Sequence, residues 1–331
     1  MLTIAIPTFN RNVILLQNLK LLLPQLTPAC KLLIVDNCSD IPVAETLKDV
    51  LNEFPSIELE IRRNSANIGA NANILRCFEL CETEWLWVLG DDDPPTPHAI
   101  EAILKHIRLY PQCLYFNFLA GGYGGVYSRT QPIFITGMAE FVERVDAIAN
   151  VLFLSSGVHN ISAMRPNLRL GYAYAHTQPN FVPFFTTIGD DGICCLSTEQ
   201  IVTYNRPPSD EQHWSFLTFG LGIMTLLELP MHPIIRQKLA EKIIGSMPWL
   251  EMFVLQLLLM ANKDKDHRSA LYLYDQLCYR IYYFDRSVPR RMKLLMYRAM
   301  IRFPFFSYKV IRLIKGSKAK KHILQDRLGR V

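Results

Sequence analysis

The segment Trp85–Asp93 (WLWVLGDDD) constrains the fold more than any other part of the chain. Its first five residues are uncharged and include aromatic and β-branched side chains, which is typical of a strand buried on both faces. Gly90 permits a sharp exit, and the two prolines after Asp93 prevent an immediate helix. Three consecutive carboxylates repel one another, so they need solvent, as in an acidic turn, or an opposite charge. At the carboxyl end of a strand, where open α/β sheets bind ligands, a divalent cation bridging phosphate oxygens would supply that charge.

Apolar strands alternate with helices through the first half of the chain. The pattern predicts strands at four segments, each followed by a helix: Leu2–Ile6, Lys31–Val35, Ile57–Ile61 and Trp85–Leu89. This alternation is typical of βαβ units and predicts a parallel sheet. Further along, apolar residues at helical spacing predict one helix over Met138–Leu154.

Polar loops follow three of the predicted strands, at Thr8–Arg11, Asp36–Asp40 and Asp91–Asp93. Parallel strands bring their carboxyl ends to one edge of a sheet, so these loops should meet. The Asn67–Gly69 loop precedes a helix, and free backbone N–H groups at a helix N-terminus favour phosphate. The sequence contains neither a GxGxxG fingerprint nor a P-loop, which argues against a dehydrogenase and an NTPase.

Four motifs, in this order and spacing, resemble those of family 2 glycosyltransferases: IAIPTFNR at 4–11, IVDNCSD at 34–40, RNSANIG at 63–69 and GDDD at 90–93. The resemblance covers the first third of the chain. It implies a GT-A fold, which is an α/β, Rossmann-like and mostly parallel sheet with helices on both faces. It also implies a nucleotide-sugar donor that lies across the strand ends, and Mn²⁺ or Mg²⁺ as cofactor.

The resemblance assigns donor-binding roles to eight residues: Pro7, Thr8 and Arg11 at the lip of the nucleotide pocket, Asp36 at the base, Asn67 and Gly69 near the ribose and pyrophosphate, and Asp91 and Asp92 at the ribose and sugar. It assigns the metal to Asp93, because a diphosphate leaving group needs a cation against its developing charge. Other interpretations stay open for three of these residues. Asp36 could cap the next helix, Asn67 could be an ordinary loop residue, and Pro7 could simply end its strand.

The general base is harder to assign from the sequence. Family 2 enzymes commonly carry a Glu-Asp pair whose aspartate deprotonates the acceptor, and this sequence has none at that place. Tyr172–His176 (YAYAH) lies there instead, and an imidazole suits a base near neutral pH, although His176 could equally be a metal ligand or a core histidine. Asp190 and Asp191 are the rival candidates, although their glycine neighbours predict a turn. His159 and His213 are weaker candidates.

The Tyr-x-His segment in place of Glu-Asp resembles the abequosyltransferase branch of the family, which acts in O-antigen synthesis. The resemblance implies transfer of a hexose from a nucleotide-sugar to a lipid-linked oligosaccharide of a surface polysaccharide such as lipopolysaccharide. A 3,6-dideoxyhexose such as abequose is one candidate for the sugar. Two alternatives stay open: a nucleotidyltransferase that uses the same metal and nucleotide, and a non-catalytic membrane-bound scaffold that retains the fold.

The last part of the chain differs in charge from the rest. Between Arg286 and Gln325 there is no Asp or Glu, while Lys and Arg occur twelve times among aromatic residues. A basic, apolar helix of this kind suits an anionic membrane surface; the alternative is a basic helix packed on the catalytic domain. We therefore expect a catalytic domain over 1–210 and a helical, membrane-associating region over 211–331. The protein would be cytoplasmic and peripheral on the inner face of the cell membrane. Nucleic acid is not an expected partner, since no recognised module is present.

Overall fold

The computed structural model describes residues 1–53, 57–121, 128–174, 178–204, 216–246, 249–263 and 266–304. The chain divides into two compact units, Met1–Asn205 and Arg206–Val331. The domain boundary predicted at residue 210 falls outside the described residues.

The first unit is built on one sheet. Within the described ranges its eight strands are β1 Leu2–Thr8, β2 Cys30–Asp36, β3 Glu58–Arg63, β4 Trp85–Val88, β5 Cys113–Gly121, β6 Ile133–Thr136, β7 Gly157–Asn160 and β8 Ile193–Thr203. They lie in the order β3-β2-β1-β4-β7-β5-β8-β6. The pairs β1–β2, β1–β4, β2–β3 and β5–β8 are parallel, whereas β7 is antiparallel to both its neighbours and β6 is antiparallel to β8. The four predicted strands are therefore present, in a mixed and mostly parallel sheet.

Helices connect these strands. The α-helices described in the first unit are α1 Asn12–Leu22, α2 Val43–Glu53, α3 Ala70–Leu80, α4 Ala99–Leu109, α5 Gly137–Arg144, α6 Ile148–Leu152, α7 Ile161–Met164, α8 Leu168–Tyr174 and α9 Phe181–Ile188. Buried residues of α1, α2 and α4 share one apolar cluster with alternate residues of β1, β2 and β4, among them Trp85 and Trp87. Alternate strand residues point to opposite faces, and α3 contacts the same three strands from the other side. Helices thus cover both faces of the sheet, as the strand composition predicted.

The single helix predicted over Met138–Leu154 is wrong, because the structure divides it into α5, α6 and the 3₁₀ turn Leu154–Ser156. Val145 leaves the helical region, with φ −58° and ψ 122°. The next residue, Asp146, accepts a hydrogen bond from its neighbour Ala147 N at 2.9 Å and forms an ion pair with Arg129 at 2.8 Å. A short side chain that bonds nearby backbone competes with helical hydrogen bonds, and here it ends the helix.

Strand register decides which loops share an edge. Thr8, at the end of β1, lies opposite Asp36, and Asp36 lies opposite Arg63 at the end of β3. Ala5 of β1 lies opposite Val88 of β4, three residues before the acidic segment. The polar loops after β1, β2 and β4 therefore meet at one edge of the sheet, as predicted.

The second unit is helical. It contains α10 Phe216–Ile223, α11 Pro233–Gly245, α12 Trp249–Lys263, α13 His267–Phe284 and α14 Val288–Arg302. Helix α12 contacts α10, α13 and α14 through buried residues that include Phe253, Leu257 and Leu258. The hydroxyl of Tyr274 in α13 donates to Leu294 O of α14 at 2.7 Å, which ties these two helices together.

Among the described residues, no single helix is long and apolar enough to cross a bilayer. The segments Pro233–Gly245 and Leu250–Asn262 meet the length and hydropathy requirements only as a pair, and the two are bent by 67°.

Candidate functional site

The acidic segment leaves β4 at the edge where β1 also ends. Leu89 N donates to Ala5 O at 2.9 Å, which continues the pairing of β4 with β1 by one residue. The chain then turns, with Asp93 N donating to Gly90 O at 3.2 Å. A Cβ atom on Gly90 would lie 2.8 Å from Asp93 Oδ2, so the turn needs glycine for this close approach.

Asp91 is the most heavily bonded acid of the three. It is buried, and its two carboxylate oxygens accept from Thr8 Oγ1 and Arg11 Nη1, each at 2.7 Å. Burial raises the pKa of Asp91 to about 6, although the positive charge of Arg11 and the bond from Thr8 act in the opposite direction. Asn18 of α1 donates to the backbone carbonyl of Asp91 at 2.8 Å. Three side chains, one from β1, one from the loop before α1 and one from α1, therefore fix this residue.

Arg11 supplies the opposite charge that the acidic segment requires. Its Nη1 bonds Asp91, and its Nη2 contacts Asp92 Oδ2 at 2.8 Å, so one guanidinium spans two carboxylates. From the three consecutive carboxylates we expected a divalent cation to neutralise the whole segment. The structure shows that a protein cation, Arg11, pairs with Asp91 and Asp92.

Asp93 is buried beside a serine from a distant part of the chain. Only 5% of Asp93 is exposed, and its Oδ2 accepts a hydrogen bond from Ser155 Oγ at 2.6 Å. Ser155 Oγ in turn accepts from Gly90 N at 2.9 Å. Ser155 and Asn18 lie outside the motifs that indicated the site. Asn18 is recognisable only as a polar residue on the buried face of α1.

Asp36 is held inside the protein rather than presented to solvent. Its Oδ1 accepts from Ser39 N at 2.8 Å, and its Oδ2 accepts from Arg63 Nη1 at 2.7 Å and from Val43 N at 3.3 Å. Burial raises the pKa of this carboxyl, but the bonds from Ser39, Arg63 and Val43 outweigh burial and hold the pKa below its ordinary value. Because Val43 begins α2, the helix-capping interpretation of Asp36 describes its contacts in this structure.

The Asn67–Gly69 loop is shaped by amide side chains. Asn67 Oδ1 accepts from Asn37 Nδ2 at 2.7 Å and from Gly69 N at 2.9 Å. Asn37 Oδ1 accepts from Ile68 N at 3.0 Å, so the loop is tied to the residue that follows Asp36. Gly69 has a φ of +85°, which favours glycine, and it immediately precedes α3. The loop thus lies beside the end of β2, and Pro7 lies in β1 opposite Val35 of that strand.

Asp191 lies away from these residues, which corrects its selection as a candidate base. It is exposed in the turn that precedes β8. The first residue of β8, Ile193, lies opposite Cys113, the first residue of β5. Tyr115 of β5 lies opposite His159 of β7, which lies opposite Leu86 of β4, so β5 and β8 run in the direction of β4. A residue before β8 therefore lies at the opposite edge of the sheet from the acidic segment.

Of the three histidines considered as bases, the structure describes only His159. His176 and His213 lie outside the described residues. His159 is 1% exposed in β7, and its ring lies 4.9 Å from the ring of Phe78 and 5.0 Å from that of Tyr115. Burial lowers the pKa of His159 to about 3, and among the described residues neither ring nitrogen has a hydrogen-bond partner. A neutral imidazole enclosed in this way has no route to an acceptor hydroxyl.

The donor set at the acidic edge fits a hard divalent cation. In the described parts of the chain, no cluster of three or more His, Cys, Asp or Glu side chains is placed to hold a metal. Mg²⁺, however, is commonly held by one or two carboxylates together with substrate phosphates, so a complete protein cage is not required. Asp93 provides one oriented carboxylate, because Ser155 Oγ holds its Oδ2.

The fold and this edge define a GT-A-like protein, because a mostly parallel mixed sheet carries its polar loops where the strands end. Residues 3–159 match the family model described as Glycosyl transferase family 2. This match covers the four motifs from which the family resemblance was drawn. The narrower likeness to abequosyltransferases stays a prediction.

Solved structures of S. aureus TarS share the fold. TarS 1-349 in complex with UDP-GlcNAc superposes with a TM-score of 0.62 at 14% identity, over 97% of this chain and 92% of that one. The complex of TarS 1-349 with UDP gives a TM-score of 0.60 at 13% identity, over 97% of this chain and 91% of that one. A longer TarS structure matches 92% of this chain and 53% of its own, with a TM-score of 0.60 at 14% identity. No curated protein matches the chain.

Proposed function

We propose that this protein is a metal-dependent glycosyltransferase that moves a hexose from a nucleotide-sugar to a hydroxyl of a lipid-linked oligosaccharide. The observation that supports it best is the meeting of Arg11, Asp36 and Asp91–Asp93 at one sheet edge, within the segment that matches family 2. Buried acids beside a helix N-terminal loop suit a donor that combines hydroxyl groups with phosphates.

The donor is proposed to be a nucleoside diphosphate sugar. The complex of TarS 1-349 with UDP-GlcNAc is the reason to test UDP-sugars first. A 3,6-dideoxyhexose such as abequose, carried on CDP, is the second candidate, and it rests on the Tyr-x-His segment. In both cases the acceptor would belong to O-antigen or lipopolysaccharide synthesis.

The protein's own groups would do most of the positioning. Thr8 and Arg11 hold the Asp91 carboxylate in place, and Asp91 would contact the ribose and sugar hydroxyls. Asp93 would hold Mn²⁺ or Mg²⁺, which when bound stabilises the negative charge of the departing diphosphate. Asp36 has both oxygens engaged, so it would act on the base chiefly by fixing Arg63 and the residues around Ser39.

His176 is the proposed base. It would remove the proton from the acceptor hydroxyl as that oxygen attacks the sugar carbon, and an imidazole titrates in the right range for this task. His176 follows α8, which contacts α3, and Asp191 is set aside because it lies at the other edge of the sheet.

The second unit supports a peripheral position on the inner face of the cell membrane, through helix α14. Leu294, Tyr297 and Ile301 are buried on one side of this helix. At 3.6 residues per turn, the opposite side carries four exposed apolar side chains, which we call the outer stripe: Val288, Met292, Leu295 and Met296. Met292 is 62% exposed and Leu295 is 61% exposed. An apolar face that points away from the core is what an interfacial helix requires.

Arginines border the outer stripe. Arg291, Arg298 and Arg302 are exposed along one flank of α14. Arg298 pairs with Asp275 at 2.8 Å, and the guanidinium of Arg291 lies 4.7 Å from the ring centre of Tyr282. Cations beside an apolar stripe suit anionic headgroups, and each contributes about 1 kcal/mol near such a surface.

The experiment that tests the proposed activity measures product release from a panel of nucleotide-sugars with and without Mn²⁺. We expect Mn²⁺-dependent release of the free nucleoside diphosphate when a lipid-linked oligosaccharide is supplied. A nucleotidyltransferase would release pyrophosphate instead, and a scaffold would release neither. Before that, the apparent unfolding temperature measured with UDP, CDP, dTDP and GDP identifies the base, since a ligand that binds the folded state raises it.

A further inference from the structure

We propose that Ser155 is a positioning residue for Asp93, which it holds in the orientation needed to bind the divalent cation. The inference rests on the proposed function, because it concerns the same carboxylate. It assigns a role to a residue that lies 62 positions along the chain from Asp93 and outside all four of the sequence motifs.

The hydroxyl of Ser155 has one proton, and its contacts decide where that proton points. Ser155 Oγ lies 2.6 Å from Asp93 Oδ2 and 2.9 Å from Gly90 N. The backbone N–H of Gly90 can only donate and an ionised carboxylate can only accept, so the hydroxyl proton lies on the bond to Asp93. A distance of 2.6 Å is in the range of charge-assisted O–H···O⁻ bonds, which are stronger than neutral ones.

The segment that carries Ser155 is itself fixed. Trp87 Nε1, inside β4, donates to Ser155 O at 2.8 Å. The next residue, Ser156, donates to Asn150 O at 2.7 Å and accepts from Asn117 Nδ2 at 3.0 Å. All these side chains are buried, so the 3₁₀ turn Leu154–Ser156 is held to β4 and β5 and cannot follow Asp93 if the carboxylate turns.

Gly90, Asp93 and Ser155 lie in contact with one another, so a larger side chain at one position would displace the other two. A Cβ on Gly90 would lie 2.8 Å from Asp93 Oδ2 and 3.3 Å from Ser155 Oγ, so there is room for the hydroxyl bond only because residue 90 is glycine. Fixing Oδ2 also fixes the plane of the carboxylate and hence the direction of its other oxygen. Groups that orient a metal-binding carboxylate typically change metal affinity by about 10- to 100-fold when they are removed.

The experiment measures Mn²⁺ affinity directly, through the electron paramagnetic resonance signal of free Mn²⁺, with UDP, CDP, dTDP or GDP present. We expect Ser155→Ala to weaken Mn²⁺ binding by about 10- to 100-fold. Ser155→Cys provides a second variant of nearly the same size that lacks a strong donor, and it should weaken binding in the same direction. Ser156→Ala is the matched control, because it removes a buried hydroxyl from the same turn without touching Asp93.

The outcomes separate this inference from the function on which it rests. If the wild-type protein binds Mn²⁺ with one nucleotide and both Ser155 variants bind it equally well, the positioning role is wrong and the proposed function stands. Equal weakening in Ser156→Ala would also overturn it, since a general disturbance of the turn would then explain the loss. Wild-type protein that binds no Mn²⁺ with any of the four nucleotides contradicts the proposed metal site itself.

Discussion

The two units of this protein depart in opposite directions from the usual placement of side chains. The first unit buries carboxylates, with Asp36 at 1% exposure and Asp93 at 5%. The second unit exposes apolar side chains, with Tyr279 at 73% and Met292 at 62%. Buried polar groups and exposed apolar surfaces are the informative cases in a folded protein, since the ordinary arrangement is the reverse.

This difference shows that unusual burial or exposure of side chains can indicate where a ligand or a surface binds. In the first unit the buried acids have polar partners that hold them in place, as Arg11 and Thr8 do for Asp91. In the second unit the outer stripe of α14 lies opposite the side that packs on its neighbours. Our proposals place a charged small molecule at the first and a lipid surface at the second.

The largest expected effect comes from the buried acid assigned to the metal. Asp93→Ala should abolish Mn²⁺-dependent turnover while the far-ultraviolet circular dichroism spectrum and the unfolding temperature stay close to wild type. Losing an interaction that stabilises the leaving group costs several kcal/mol of barrier. Asp190→Asn is the control, because Asp190 is an exposed carboxylate at the other edge of the sheet. If Asp93→Ala keeps its activity, Asp93 is not the metal ligand, and its burial in the first unit does not indicate a metal site.

The next effect separates the two candidate bases. His176→Ala should lower turnover by about 10²- to 10³-fold with little change in donor affinity, as expected for a lost general base. Asp191→Asn should leave turnover close to wild type, because its turn lies at the edge where β8 begins. Steady-state rates and nucleotide affinity for both variants provide the measurement. If His176→Ala instead weakens donor binding with turnover intact, another group is the base.

A third prediction tests whether burial of a polar group in the first unit always marks a functional site. His159 has no polar partner among the described residues, and burial lowers its pKa to about 3 from 6.5. The unfolded chain binds a proton near pH 6.5 while the folded state stays neutral, so stability is full above pH 6.5 and falls as the pH drops toward 3. Between pH 7 and pH 4 this amounts to about 3 kcal/mol, or roughly 2.5 pH units at 1.36 kcal/mol each.

His159→Phe removes that dependence and keeps an aromatic ring between Phe78 and Tyr115. We expect the free energy of unfolding, measured in urea at several pH values, to fall less steeply with acid in the variant than in wild type. Activity at pH 7.5 should be retained, which would show that this buried histidine is structural. A parallel fall in both proteins would mean that His159 is not the group that titrates.

The smallest effect tests the outer stripe. The double variant Met292→Gln and Leu295→Gln should bind vesicles containing phosphatidylglycerol about 10- to 100-fold more weakly. Half burial of each side chain at the interface contributes about half of the roughly 1.5 to 3 kcal/mol of full burial, so the two together contribute about 1.5 to 3 kcal/mol. Leu109→Gln is the matched control, because Leu109 is also exposed but ends a helix of the first unit. Cosedimentation at two salt concentrations provides the measurement. Unchanged binding of the double variant would show that the stripe faces something other than lipid.

Much of this organisation could be predicted from the sequence. The four first strands, the α/β class and the meeting of three polar loops follow from strand periodicity and from the direction of parallel strands, which are local properties. Identities at positions 4–11, 34–40, 63–69 and 90–93 were enough to indicate the family.

The parts that could not be predicted depend on long-range contacts. Nothing near Ser155 in the sequence indicates that its hydroxyl reaches Asp93, because the bond depends on how β7 is inserted between β4 and β5. The pairing of Arg11 with two acids likewise depends on side-chain geometry. From the charge of Asp91–Asp93 alone, we expected a metal ion to neutralise these acids. The break after Arg144 was missed because apolar periodicity continues through Val145 and cannot report the bond between Asp146 and Arg129.

The antiparallel direction of β7 has a practical consequence for engineering. A strand that runs antiparallel to its neighbours begins at the edge of the sheet where they end. The segment before β7 therefore lies at the acidic edge, whereas the segment before β8 lies at the opposite edge. Residues grafted before Gly157 would therefore lie beside the acidic segment. A dye or an affinity handle attached at Asp191 would lie at the opposite edge of the sheet, away from the acidic segment.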